Sequence, residues 1–95
     1  MPEFKQGDAV AVPASVQQGA FPGEYLVEVP ARSGPISGFV RERDFVELRK
    51  TIQGIVREST SSSLSVKLSG SYFTTNGLAE FAPDWAKANV KVVAL

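Results

Sequence analysis

The side chains in this sequence whose types and spacing could do chemistry are two pairs of carboxylates and a set of cations. Glu24 and Glu28 stand four apart, and Glu42 and Asp44 two apart. Paired acids run general acid–base chemistry when their surroundings drive their pKa values apart. Both pairs fall in short runs of solvent-facing pattern, and no partner base accompanies them. Charges guarding strand edges are the expected role. The chain has no Cys and no His. That removes disulfides, thiol nucleophiles, imidazole catalysis and Cys/His zinc sites. No Gly-rich phosphate loop, metal-ligand spacing or nucleophile elbow is present. The reading is therefore non-enzymatic, with no cofactor and no metal.

Cations are unevenly placed. Residues 1–47 carry a net charge of −3 and residues 48–95 a net charge of +3, within a chain of zero formal charge. The second half holds Arg49, Lys50, Arg57, Lys67, Lys87 and Lys91. Strand alternation sets Arg57 and Lys67 on one wet face, and Tyr72 follows closely. These three residues are the candidates for a weak, salt-sensitive nucleic-acid surface. A solvated face is the commoner use of such charges. Among the aromatics, Phe21 sits in a loop beside Pro22 and Gly23, and Trp85 on a short turn. Exposed aromatics and arginines are frequent anchors at protein interfaces. The candidates for a protein-partner site are thus Phe21, Tyr25, Arg41, Arg43 and Trp85, expected to gather at one end of the fold. The alternative for Phe21 is a plug folded back into the core.

The elements that position these residues are short. Ninety-five residues, 43% apolar and 21% charged, fit a single globular domain over 1–95, with a possible subdivision near 48–52. Eight Gly and six Pro cut the chain into runs of strand length. Asp8 to Val12 reads as the first strand, and Ala14 to Gly23 as a long polar loop. In Glu24 to Val29, residues Tyr25, Val27 and Val29 alternate against polar neighbours, the pattern of a strand with one wet face. Ala31 to Pro35 reads as a tight turn. Ile36 to Arg41 reads as a strand in which Gly38 marks a bend or a close approach.

Phe45 and Leu48 are spaced for one helical or 3₁₀ turn that runs into a strand. Ile52–Glu58 and Leu64–Ser69 form a hairpin around a serine-rich tip. Asn76-Gly77 signals a type I′ hairpin placing Thr75 opposite Leu78 and Tyr72 opposite Phe81. Pro83 to Ala88 suits one helical turn stopped at Asn89, before a last strand over 90–93. The fold class is all-β, with short antiparallel strands and one or two short 3₁₀ or helical turns, closed into one interleaved barrel, with two miniature barrels as the alternative.

Phe4-Lys5-Gln6-Gly7-Asp8-Ala9-Val10-Ala11-Val12, a later Glu24-Tyr25-Leu26-Val27-Glu28, and then Gly38-Phe39-Val40-Arg41-Glu42-Arg43-Asp44-Phe45-Val46-Glu47-Leu48 together resemble a small Src-homology-3-like barrel over about half the chain. The resemblance implies a strand, a 3₁₀ turn and a closing strand over the last stretch. It does not carry that family's peptide groove across. Gly34-Pro35 stands where its ligand-contacting Trp belongs, Arg41 replaces its groove proline, and Phe45 lacks the groove tyrosine's hydroxyl. Gly54 through Leu68 is similar, generically, to the strand–loop–strand of KOW or Tudor-type barrels.

The expected function is a binding or adaptor module for a protein partner or for a second copy of the chain. A nucleic-acid-binding barrel is one alternative, and an oligomeric enzyme with a site at a subunit interface is another. No apolar run is long enough for a membrane helix. Met1 to Lys5 lacks the basic and apolar regions of a secretory signal, which gives a cytoplasmic location by default.

Overall fold

A computed structural model of the chain describes residues 4–93. It consists of short antiparallel strands with one short helix, divided between two sheets. The strands are β1 (Ala9–Pro13), β2 (Ser15–Gln18), β3 (Glu24–Ala31), β4 (Gly34–Arg41), β5 (Phe45–Glu47), β6 (Thr51–Ser59), β7 (Leu64–Leu68), β8 (Leu78–Phe81) and β9 (Lys91–Val92). The helix α1 spans Pro83–Asn89. The larger sheet runs β8-β7-β6-β1-β9, with β5 also on β6, and the smaller runs β2-β3-β4. Neither closes on itself, which corrects the expectation of a closed barrel. An isolated bridge between Phe39 and Ser71 joins the two.

Alternation decides which face of each strand is buried. Tyr25, Val27 and Val29 of β3 face one core with Val10 and Val12 of β1 and Leu64, Val66 and Leu68 of β7. Ile52, Val56 and Phe81 complete its centre. β1 pairs with β6 (Val10 opposite Gly54, Val12 opposite Ile52), so the two halves of the chain interleave around this core. A Cβ on Gly54 would lie 2.4 Å from a Val66 methyl, so glycine lets that side chain cross the β6 backbone.

Three turns differ from the sequence expectation. Residues 14–23 are not one loop, because β2 forms within them and pairs with β3 (Val16 opposite Val27). The β3–β4 turn contains only Arg32 and Ser33, since Ala31 already pairs with Gly34 and Pro35 lies within β4. Asn76-Gly77 does not make the expected hairpin. Thr75, Asn76 and Gly77 all have positive φ. That left-handed run separates the two flanking arms, and residues 78–81 pair instead with β7, Leu64 opposite Phe81 and Val66 opposite Ala79. This register sends Ala79 and Phe81 into the core. The expected Tyr72–Phe81 pairing would have left the apolar edge of β7 uncovered.

The free edge of β4 is shut residue by residue. Its outward positions are 35, 37, 39 and 41. Pro35 has no N–H to offer. The Ser37 N–H donates to Thr74 Oγ1 (3.4 Å). Phe39 and Ser71 exchange two backbone bonds of 2.9 and 2.8 Å. The Arg41 N–H donates to Asp44 Oδ2 (2.9 Å). Capping an edge in this way prevents strand addition from outside.

Candidate functional site

Beyond Arg41 the chain makes the 3₁₀ turn that the resemblance implied, Glu42–Asp44, and runs into β5, so the turn precedes Phe45 and does not span Phe45 to Leu48. Asp44 fixes that turn from both carboxylate oxygens. Oδ2 accepts the Arg41 N–H, and Oδ1 accepts the Ser69 hydroxyl at 2.7 Å. The second bond ties the turn to the start of the segment 69–77, which crosses from β7 to β8.

That segment is strained. Gly70, Tyr72, Thr75, Asn76 and Gly77 have positive φ. A non-glycine residue there costs roughly 1–2 kcal/mol, and such strain concentrates at functional sites. Several contacts hold it. The Phe73 ring packs where a Cβ of Gly38 or Gly70 would otherwise stand. Thr75 Oγ1 donates to the Leu78 carbonyl (2.8 Å), and Lys67 Nζ donates to the Asn76 carbonyl.

Held in this way, Tyr72 stands on a ridge with 89% of its surface exposed. On one side is a cleft lined by Glu24, Phe39, Val40, Arg41, Arg43, Asp44 and Ser71. Its volume of about 80 Å³ lies well below the ~300–1,000 Å³ typical of small-molecule sites; it has room for one side chain of a partner. On the other side, Tyr72 borders an open depression with Lys67, Phe73, Asn76 and Gly77. Arg41 and Arg43 are exposed, and among the described residues neither is in an ion pair. Glu24 and Asp44 balance their charge, so the cleft is polar without being strongly basic.

The sequence-derived candidates are distributed unevenly around this site. Arg41 and Arg43 line the cleft with Tyr72, which also borders the depression that holds Lys67. Phe21 is 67% exposed in the β2–β3 loop, at the same end of the small sheet, where Glu24 pairs with Arg41. Tyr25 is buried, edge-on to Phe45 (ring centroids 5.5 Å apart), with the Arg49 guanidinium 5.3 Å above its ring.

Trp85 does not belong with them. It lies on α1, stacked on Phe81 at 5.2 Å, and the neighbouring Glu80 carbonyl accepts the Arg32 N–H at the far end of the β3–β4 ribbon. The two ends are about 23 Å apart, seven steps of ~3.3 Å along the eight residues of β3. Arg57 and Lys67 are both exposed on the β6–β7 hairpin. Arg57 sits at a bulge, in a depression shared with Glu58 and Glu80, and Lys67 lies opposite Ile55.

Ser71 and Phe73 are site residues that the sequence reading did not identify, and Asp44 was weighed there only as half of an acid pair. The signal for Asp44 was its place three residues after Arg41, the spacing of a side chain that caps a backbone N–H. Ser71 and Phe73 carried only a flank of glycines. Among the described residues no group of acids is placed to hold a metal ion, and no helix is long and apolar enough to cross a membrane. Comparison with family models, with curated proteins and with solved structures finds no match to this chain.

Proposed function

We propose that this chain is a non-enzymatic protein-binding module that grips its partner with Tyr72, Arg41 and Arg43. One observation carries the reading. A tyrosine on strained backbone, almost fully exposed, borders a cleft of single-side-chain size beside two arginines without ion pairs. A large aromatic held outward at an energetic cost contributes nothing to the core. Tyrosine and arginine are the residue types that dominate interface energetics. Phe21, at the same end of the small sheet, extends the surface. The strand, 3₁₀ turn and strand over residues 38–47 support a Src-homology-3-like reading of this half, and a cytoplasmic setting remains part of the proposal.

Nucleic acid is the less favoured partner, because Arg57 shares its depression with Glu58 and Glu80 and the Lys67 ammonium is engaged by the Asn76 carbonyl. The test is capture of partners from source lysate by the wild type and by Tyr72→Ala and Arg41→Ala/Arg43→Ala variants of equal thermal stability. A protein captured by the wild type and lost by both variants supports the reading. Equal capture by all three overturns it, as does capture of nucleic acid alone.

A further inference from the structure

β1 and β2 form one extended run that bends at Ala14 and serves both sheets. Its even-numbered backbone groups face β6. The Asp8 carbonyl accepts the Val56 N–H (2.9 Å), and the Ala14 N–H donates to the Lys50 carbonyl (3.0 Å). β6 begins at Thr51, so this row of groups outruns its partner after Ala14. On β2 the odd positions face β3, because the Gly19 N–H donates to the Glu24 carbonyl (2.8 Å) and antiparallel pairing alternates. The N–H and C=O groups of Val16 and Gln18 therefore point away from β3. Among the described residues no hydrogen bond reaches them.

This edge differs from that of β4. Four separate devices shut β4, whereas Ser15-Val16-Gln17-Gln18 contains no charge, no Pro and no Gly to discourage pairing. Backbone groups buried or aligned in this way are satisfied by another strand or by water.

We propose, independently of the Tyr72 reading, that the β2 edge pairs with the β2 edge of a second copy of this chain. The pattern of free groups is self-complementary about Gln17, as a two-fold interface requires. An axis at that residue sets Val16 opposite Gln18 of the second copy, and Gln18 opposite Val16 of the second copy. All the outward groups are then joined by four hydrogen bonds. Two uncharged amides meet across the axis, and the small sheets merge into one of six strands. The same register brings the β2–β3 loop, with its exposed Phe21, toward the 47–50 turn of the second copy. Leu48 is exposed there.

Light scattering over a range of protein concentration tests this. The wild type is expected to rise from 10.2 kDa to twice that mass, with amide exchange at Val16 and Gln18 slowing as it does. Gln18→Pro removes an outward donor and no bond to β3. Gln17→Lys sets like charges across the axis without touching the core. Both variants are expected to stay at the monomer mass and to melt where dilute, monomeric wild type does. A wild type that remains monomeric to its solubility limit overturns the proposal. So does a dimer that survives Gln17→Lys, since that pairing uses another face.

Discussion

The Phe73 ring occupies the space that a side chain at Gly38 would need: a Cβ there would lie 2.4 Å from its Cδ1. The glycine in β4 and the phenylalanine in the 69–77 segment are thus a matched pair, and the ring holds the segment against the small sheet. Gly38→Ala is expected to cost about 1–3 kcal/mol, the usual range for overpacking a fitted contact. Chemical denaturation measures it. The same variant should weaken partner capture, because Tyr72 is the residue next to the displaced ring.

Tyr72 offers a separation of stability from binding. Its backbone lies at φ 56, a conformation that glycine adopts without steric cost. Relief of strain is offset in part by the greater freedom of glycine in the unfolded chain. Tyr72→Gly is expected to leave stability unchanged or raise it by up to about 1 kcal/mol, while abolishing partner capture. Paired melting and binding measurements check it. A loss of stability with retained binding would assign Tyr72 to the core.

Asp44 closes the 3₁₀ turn by accepting the Arg41 N–H and ties it to the 69–77 segment by accepting the Ser69 hydroxyl. Asp44→Ala removes both and leaves the Arg41 N–H without its acceptor. The expected cost is about 1–3 kcal/mol, read by denaturant titration. Ser69→Ala removes one of the two bonds and should cost less. The order of the two variants tests whether the carboxylate, rather than the serine, organises the turn.

Trp85 is a core cap, and its variants should behave accordingly. Its ring lies nearly parallel to that of the buried Phe81, with an interplanar angle of 12°. Trp85→Ala is expected to cost up to about 3–5 kcal/mol, a large share of a typical total of ~5–15 kcal/mol. Partner capture by the fraction that remains folded should be unaffected. The intrinsic fluorescence of the single Trp should shift to the red on unfolding and not on partner binding.

Much of the secondary structure was legible in the sequence, because alternation reports directly on burial. Tyr25, Val27 and Val29, and Leu64, Val66 and Leu68, are buried as their spacing required. The 3₁₀ turn after Arg41 and the helix begun by Pro83 also matched local chemistry. Partner choice between strands was not legible. A period of two states which face is buried and leaves the neighbour open. Asn76-Gly77 therefore suggested a hairpin that the edge of β7 won from residues 72–75. The cleft was hidden for the same reason. Arg41 and Tyr72 are thirty-one residues apart, and long-range contacts such as the bridge between Phe39 and Ser71 and the Asp44–Ser69 bond bring them together.

The position of β1 in the larger sheet shapes how the molecule comes into being. Val10 is flanked by Gly54 on one side and Val92 on the other. During synthesis the first strand leaves the ribosome long before either neighbour exists, and it must wait, unpaired, for residues that are translated much later. Most of the other strand pairings are between sequence neighbours, so the two distant pairings of β1 are the slow ones to form. A ribosome stalled before β9 would therefore carry an incomplete larger sheet, with β1 still a target for chaperones.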